Sequence, residues 1–329
     1  MIQGHSSDIR CLRLWESNDR NLLLSSSKNG KILIFNIENE RAQLYQSLEQ
    51  NGDIRCLNIF RFGIISSVHH GKATKWKFSN DSKLFKFDDF SKFDFCCFDL
   101  DKSFAISEDG LFLFGMNDQR KTRILVEDFN SEEDARELEG HSDIITAILY
   151  DSKQQKLYSS GKDKSIIKWD IANFLKNKQN IPIDQTGKME LQNRDIHSGD
   201  IFTLEALCDF KFILSGGKDK QVKLVETKSL IVLGSFDAGM SIYGIIGNGK
   251  LAYFFGKNSK KIGKWDLQSY FWKEEEAESP QRVENKMKKH LSLTIKSCVV
   301  GKQEIKVDRF FNKSTSLTRS KIIFENKKD

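Results

Sequence analysis

A five-residue pattern recurs along the chain: an aspartate, an apolar residue, any residue, a small residue, an apolar residue. It reads Asp8-Ile9-Arg10-Cys11-Leu12, Asp53-Ile54-Arg55-Cys56-Leu57, Asp94-Phe95-Cys96-Cys97-Phe98, Asp143-Ile144-Ile145-Thr146-Ala147 and Asp200-Ile201-Phe202-Thr203-Leu204. A sixth copy, Ser241-Ile242-Tyr243-Gly244-Ile245, has serine in the first place. The copies start 41 to 57 residues apart. In a strand, successive side chains point to opposite faces, so the second and fourth positions share one face. A small fourth residue lets another sheet approach that face. Each copy is followed by a second apolar run, a tight turn and a third run. The third runs end at Ile34-Phe35-Asn36, Lys75-Trp76-Lys77, Leu113-Phe114-Gly115, Lys168-Trp169-Asp170, Leu224-Val225-Glu226 and Lys264-Trp265-Asp266. Each period thus predicts a small antiparallel sheet. Such a sheet cannot bury both faces alone, so the copies should stack.

The clearest period runs from Gly140-His141 to Trp169-Asp170. A Gly-His opening, a Ser159-Ser160-Gly161 second strand, an Asp163 turn and a Trp-Asp close together resemble a WD40 repeat, the four-stranded blade of a β-propeller. The resemblance implies an all-β fold: a WD40-type β-propeller of seven blades, each with four antiparallel strands. Six blades are recognisable in residues 1–272. Residues 273–329 read as a linker plus a degenerate seventh blade that closes the ring, with Lys296–Val307 and Lys321–Phe324 as its strands. The polar segments 117–138 and 172–193 read as rim loops, each ending in a fourth strand.

Composition fits this picture. Hydrophobic residues make up 39% and charged residues 30%, as in a soluble globular domain. No apolar run approaches membrane-spanning length. Met1-Ile2-Gln3-Gly4-His5 lacks the basic and apolar regions of a secretion signal. The six cysteines contain no Cys-x-x-Cys pair, and three of them fall on the small packing position. A cytoplasmic or nuclear protein with reduced thiols is therefore expected. The net charge of +6 is concentrated in residues 273–329.

The candidate chemistry is mostly structural. By resemblance, His141, Ser159, Asp163 and Trp169 form the network that rigidifies a WD40 blade: aspartate holds histidine, histidine bonds serine, and serine meets the indole. His197, Ser215 and Asp219 repeat it with Val225 in place of tryptophan. His5 and Ser25 repeat it with Asn29 in place of aspartate. Trp76 and Trp265 hold the indole place in two further blades. A His–Ser–Asp set also suggests a hydrolase triad, but here the packing role accounts for it better. Gly244, Gly247, Gly249 and Lys250 nearly spell a phosphate loop, yet Leu251 follows and the segment lies between two strands. His69-His70 lacks a third ligand at metal spacing, so no metal or other cofactor is expected.

The resemblance also implies a partner surface. In related propellers the first and third pattern positions lie on the narrow top face around the channel. Here those are Asp8, Arg10, Asp53, Arg55, Asp94, Cys96, Asp143, Ile145, Asp200, Phe202, Ser241 and Tyr243. Arginine and aromatic residues are enriched at interface hot spots, which singles out Arg10, Arg55, Phe202 and Tyr243. The expected function is a non-catalytic scaffold for protein or peptide partners, a monomer within a larger complex. Two other uses stay open. One is an RNA-associated propeller, in ribosome assembly or RNA processing, that uses the basic C-terminal segment. The other is a ubiquitin-ligase substrate receptor, disfavoured because Ala172 and Gln268 stand where such receptors often carry arginine.

Overall fold

The computed structural model describes residues 5–16, 21–38, 41–68, 71–95, 104–130, 135–172, 188–247, 249–256, 262–270, 304–310 and 319–325. The described residues form six antiparallel blades and one separate hairpin. The first blade is β1 (Ile9–Glu16), β2 (Asn21–Ser27), β3 (Lys31–Glu38) and β4 (Arg41–Glu49). The second is β5 (Ile54–Phe60), β6 (Gly63–Val68), β7 (Gly71–Ser79) and β8 (Leu84–Phe95). The third is β9 (Phe104–Ile106), β10 (Phe112–Met116), β11 (Arg123–Asp128) and β12 (Arg136–Glu139). The fourth is β13 (Ile145–Asp151), β14 (Lys156–Gly161), β15 (Ile166–Asp170) and β16 (Lys188–Asn193). The fifth is β17 (Ile201–Leu207), β18 (Phe212–Gly217), β19 (Gln221–Glu226) and β20 (Val232–Asp237). The sixth has three strands, β21 (Ile242–Gly247), β22 (Leu251–Gly256) and β23 (Ile262–Asp266).

The first strands of consecutive blades touch, β1 to β5 to β9 to β13 to β17 to β21, so they line the inside of the array. Each of the five seams between blades holds its own apolar cluster. Between blades four and five, for example, Ala147, Tyr158 and Ile166 meet Ile201, Leu204 and Ile213. The small fourth position works as the pattern requires: Cys11, Cys56, Ala147 and Thr203 are buried. At Gly216 an added Cβ would lie 2.5 Å from Ile242 Cγ2, so glycine lets the fifth and sixth blades close. Elsewhere, Gly30 supplies the turn between β2 and β3 at φ +82, a conformation that glycine adopts readily.

Three expectations need correction. First, six blades are present among the described residues, not seven. The region expected to form the seventh contains β24 (Glu304–Phe310) and β25 (Arg319–Glu325), paired with each other in a two-stranded sheet. Second, the third copy of the pattern is not an inner strand. Asp94 and Phe95 finish β8, where Asp94 pairs in register with Lys72. The inner strand is β9, and Leu113-Phe114-Gly115 belongs to the second strand of that blade. Residues 117–138 are accordingly not one rim loop, because β11 and part of β12 fall within them. Third, the fourth copy is one residue out of step. Lys28 N donates to Asp8 O, Lys218 N to Asp200 O, and Lys162 N to Ile144 O, so Ile144 is the equivalent of the aspartates. A one-residue shift reverses the faces of a strand. Ile145 is therefore core, fully buried in the seam between blades three and four, and Thr146 takes the third position.

Candidate functional site

The inner strands share a local irregularity. In each of β1, β5, β13, β17 and β21 the register with the next strand slips at one place. The slips fall between Ile9 and Cys11, Ile54 and Cys56, Ile145 and Ala147, Ile201 and Thr203, and Ile242 and Gly244. The residue skipped is Arg10, Arg55, Thr146, Phe202 or Tyr243. A β-bulge leaves its extra residue out of the ladder and re-aims that side chain. Four of the five are the residues that the pattern singled out. Thr146 differs: it is buried, and its hydroxyl donates to Ile201 O at 2.5 Å, tying blade four to blade five.

The bulged residues gather into two groups. Arg10 grips the Asp53 carboxylate in a two-pronged contact, Nε to Oδ1 at 3.0 Å and Nη2 to Oδ2 at 3.1 Å. Arg55 reaches the same carboxylate at 2.8 Å. Two guanidinium groups thus share one anion across the first two blades, a geometry suited to fork-shaped pairing. Across blades five and six, the rings of Phe202 and Tyr243 stack at 4.5 Å. Both rings are half-buried. Asp8 and Asp143 are exposed, and Asp143 Oδ1 accepts from Ile144 N. Ser241 Oγ donates to Lys218 O at 3.3 Å, and Asp200 is half-buried. Asp94 stands on the outer strand of blade two, away from this ring. Cys96 lies outside the described residues, as do His69 and His70.

The blade network is formed in full in the fourth blade. His141 Nδ1 meets Asp163 Oδ2 at 2.8 Å, and His141 Nε2 meets Ser159 Oγ at 2.7 Å. Trp169 Nε1 donates to the same Ser159 oxygen at 2.8 Å. Burial pushes the Asp163 carboxyl up, but the bond and charge of His141, with Ser165 and Ser142 N, outweigh it and hold the group at about 2. Ser159 is fully buried and already engaged on both sides. A substrate could not reach it, so this constellation packs the blade and does no hydrolysis. In the fifth blade His197 joins Asp219 and Ser215 at 2.9 and 2.8 Å. Burial opposes ionisation of Asp219 as well, and His197 with two backbone amides pulls it below the ordinary range. In the first blade His5 meets Ser25 at 2.8 Å, but its Nδ1 is buried without a hydrogen-bond partner. Asn29 turns instead to Ser27 and Ser6. Burial, helped by Lys31 and opposed by Ser25, lowers the His5 pKa.

Two variants of the network escaped sequence reading. In the second blade, Trp76 Nε1 donates to Ser66 Oγ at 2.9 Å, and Ser66 donates to Gln50 Oε1 at 2.5 Å. Gln50 stands three residues before Asp53, the offset that separates His5 from Asp8 and His197 from Asp200, and that spacing was a usable signal. In the sixth blade Phe254 occupies the serine place, since it pairs with Ile245 as Ser159 pairs with Ile148. Trp265 therefore sits among rings, 5.9 Å from Phe236 and 5.7 Å from Tyr270.

Inside the array, a cavity of ≈ 220 Å³ is lined by Arg13, Asn58, Phe104, Ile106, Tyr150 and Phe210 among others. Burial, with Asp109, Asp151 and Glu108 nearby, pushes the Tyr150 phenol up to about 12, so it stays protonated at neutral pH. Among the described residues no cluster of His, Cys, Asp and Glu is arranged to hold a metal ion. No helix there is long and apolar enough to cross a membrane.

Comparison with known proteins agrees with this architecture. The family model described as "WD domain, G-beta repeat" matches residues 1–36 and 133–170, the first blade and the clearest period. A 95-residue stretch, 29% of the chain, is 27% identical to the mitotic checkpoint protein bub3 of Dictyostelium discoideum. The match spans 24% of that protein's length. Repeat signatures at both sites, the four-stranded blades and the His–Ser–Asp–Trp network converge: residues 1–36 and 133–170 are similar to WD40 repeats, and the fold is an all-β, WD40-type β-propeller.

Proposed function

We propose that the protein is a non-catalytic scaffold that docks a protein or peptide partner on the face where its inner strands begin. The repeated bulge carries this reading. In five of the six blades it takes one residue out of the ladder at the same level, and in four of them that residue is arginine or aromatic. The Arg10–Asp53–Arg55 group offers a partner carboxylate a charged, fork-shaped site, and the Phe202–Tyr243 stack offers an apolar anchor. The WD40 repeat signatures at residues 1–36 and 133–170 support the reading, as does the partial likeness to a mitotic checkpoint protein.

The test is affinity purification with mass spectrometry. Wild type is compared with a variant carrying Arg10→Ala, Arg55→Ala, Phe202→Ala and Tyr243→Ala. The variant should fold and lose at least one partner. A folded variant that keeps every partner overturns the proposal.

A further inference from the structure

The outer strand of the second blade breaks the rule that a strand buries one face. Five consecutive residues in the middle of β8, Lys86, Phe87, Asp88, Asp89 and Phe90, are all exposed. Phe87 is 51% and Phe90 50% exposed, with ring centroids 4.6 Å apart. β8 closes its sheet, so one side of its backbone has no strand beside it. Edges of this length normally carry charge or proline at their centre to prevent pairing. This one carries charge at Lys86, Asp88 and Asp89 but also exposes two phenylalanines, which protection of the edge does not call for.

The free side already shows what fits it. The Gln46 side chain, from the first blade, donates to Phe85 O at 2.7 Å and accepts from Phe85 N at 2.8 Å. That is the pair of bonds that the N–H and C=O of one residue of an added antiparallel strand would make. Antiparallel ladders turn alternate residues outward, so the next residue whose N–H and C=O face outward is Phe87, just before the register slip at Asp88 that lets Phe87 and Phe90 lie together. Asp88 and Asp89 lie between the two rings, and Asp88 already attracts Lys75 at 3.2 Å. A second copy of the chain paired about Asp88 would set this carboxylate against its own equivalent, and like charges facing each other across strands are destabilising.

We propose that the β8 edge at Lys86–Phe90 is a docking site for an extended segment of a partner protein, with lysine or arginine alternating with apolar residues. The segment adds a strand to the second blade, its apolar side chains cover Phe87 and Phe90, and its cations meet Asp88 and Asp89. This site is separate from the inner-strand face.

A labelled octapeptide of alternating lysine and valine serves as the probe, with binding read by fluorescence anisotropy. Two control probes replace lysine by glutamate or a central valine by proline. The lysine–valine probe should bind wild type, and at least tenfold more weakly to a Phe87→Ala/Phe90→Ala variant. Both substituted side chains are half in solvent, so that variant should fold. Both control probes should bind wild type at least tenfold more weakly. A Phe202→Ala/Tyr243→Ala variant should bind the probe as wild type does, which separates this test from that of the inner-strand face. Equal binding by the Phe87→Ala/Phe90→Ala variant, or equal binding of the proline probe, overturns the proposal. So does a dimer, seen by sedimentation, that depends on Phe87.

Discussion

Asn29 stands where the fourth and fifth blades carry aspartate, and the His5 ring nitrogen that would meet the carboxylate is left buried and unpartnered. An orphaned buried polar atom is destabilising, so Asn29→Asp should stabilise the protein by about 1 kcal/mol. The check is the midpoint of thermal unfolding at neutral pH. The native His5, with its lowered pKa, contributes stability above the ordinary histidine value, and that contribution is lost as pH falls through the folded value. Asn29→Asp should weaken this acid-side loss. Asp163 sets a second pH dependence. Its pKa is about 2 in the fold, so its contribution is complete above the ordinary carboxylate value near 4 and fades from there towards pH 2. Asp163→Asn should cost about 2 kcal/mol and flatten that part of the stability profile. At this scale the sequence was readable where residue type was kept, as at His141 and His197. It was opaque where a different residue does the same work, because nothing in the name of Gln50 says that its amide will stand in for imidazole.

Blades four and five hold complete or nearly complete networks, whereas the sixth replaces serine with Phe254. Amides of β14, β15, β18 and β19 should therefore exchange with solvent more slowly than those of β22 and β23. Equal protection across these blades would show that apolar packing alone sets local stability. Gly216→Ala should test the seam between the fifth and sixth blades, with a loss of about 1–3 kcal/mol as Ile242 and Ile245 are pushed aside. Strand periodicity revealed the elements well, but it could not count residues across irregular connections. The fourth copy came out one place early because Asp143 precedes Ile144 and mimics the aspartate of the other blades. The third copy was lost because Asp94-Phe95 repeats the right residue types at the end of an unusually long outer strand.

Among the described residues, each blade covers the flank of the next as far as the sixth. Tyr253 and Ile262 are 42% and 50% exposed, while Leu214 and Val222, at the same register positions of the fifth blade, are fully buried. Ile262→Lys should change stability by less than about 1 kcal/mol, whereas Val222→Lys should unfold the protein or cost more than about 4 kcal/mol. Denaturant titration of the two variants decides between them. The count of blades was the part of the fold least legible in the sequence, because strand-like alternation in residues 296–324 says only that strands form and not how many neighbours they find. The recurring bulge has a last consequence. A residue left out of the ladder can be exchanged without breaking the strand pairing of its own blade. The sheets thus act as a fixed printing frame, and the letters set at Arg10, Arg55, Phe202 and Tyr243 can be reset by substitution while the strand pairing of the frame stays the same.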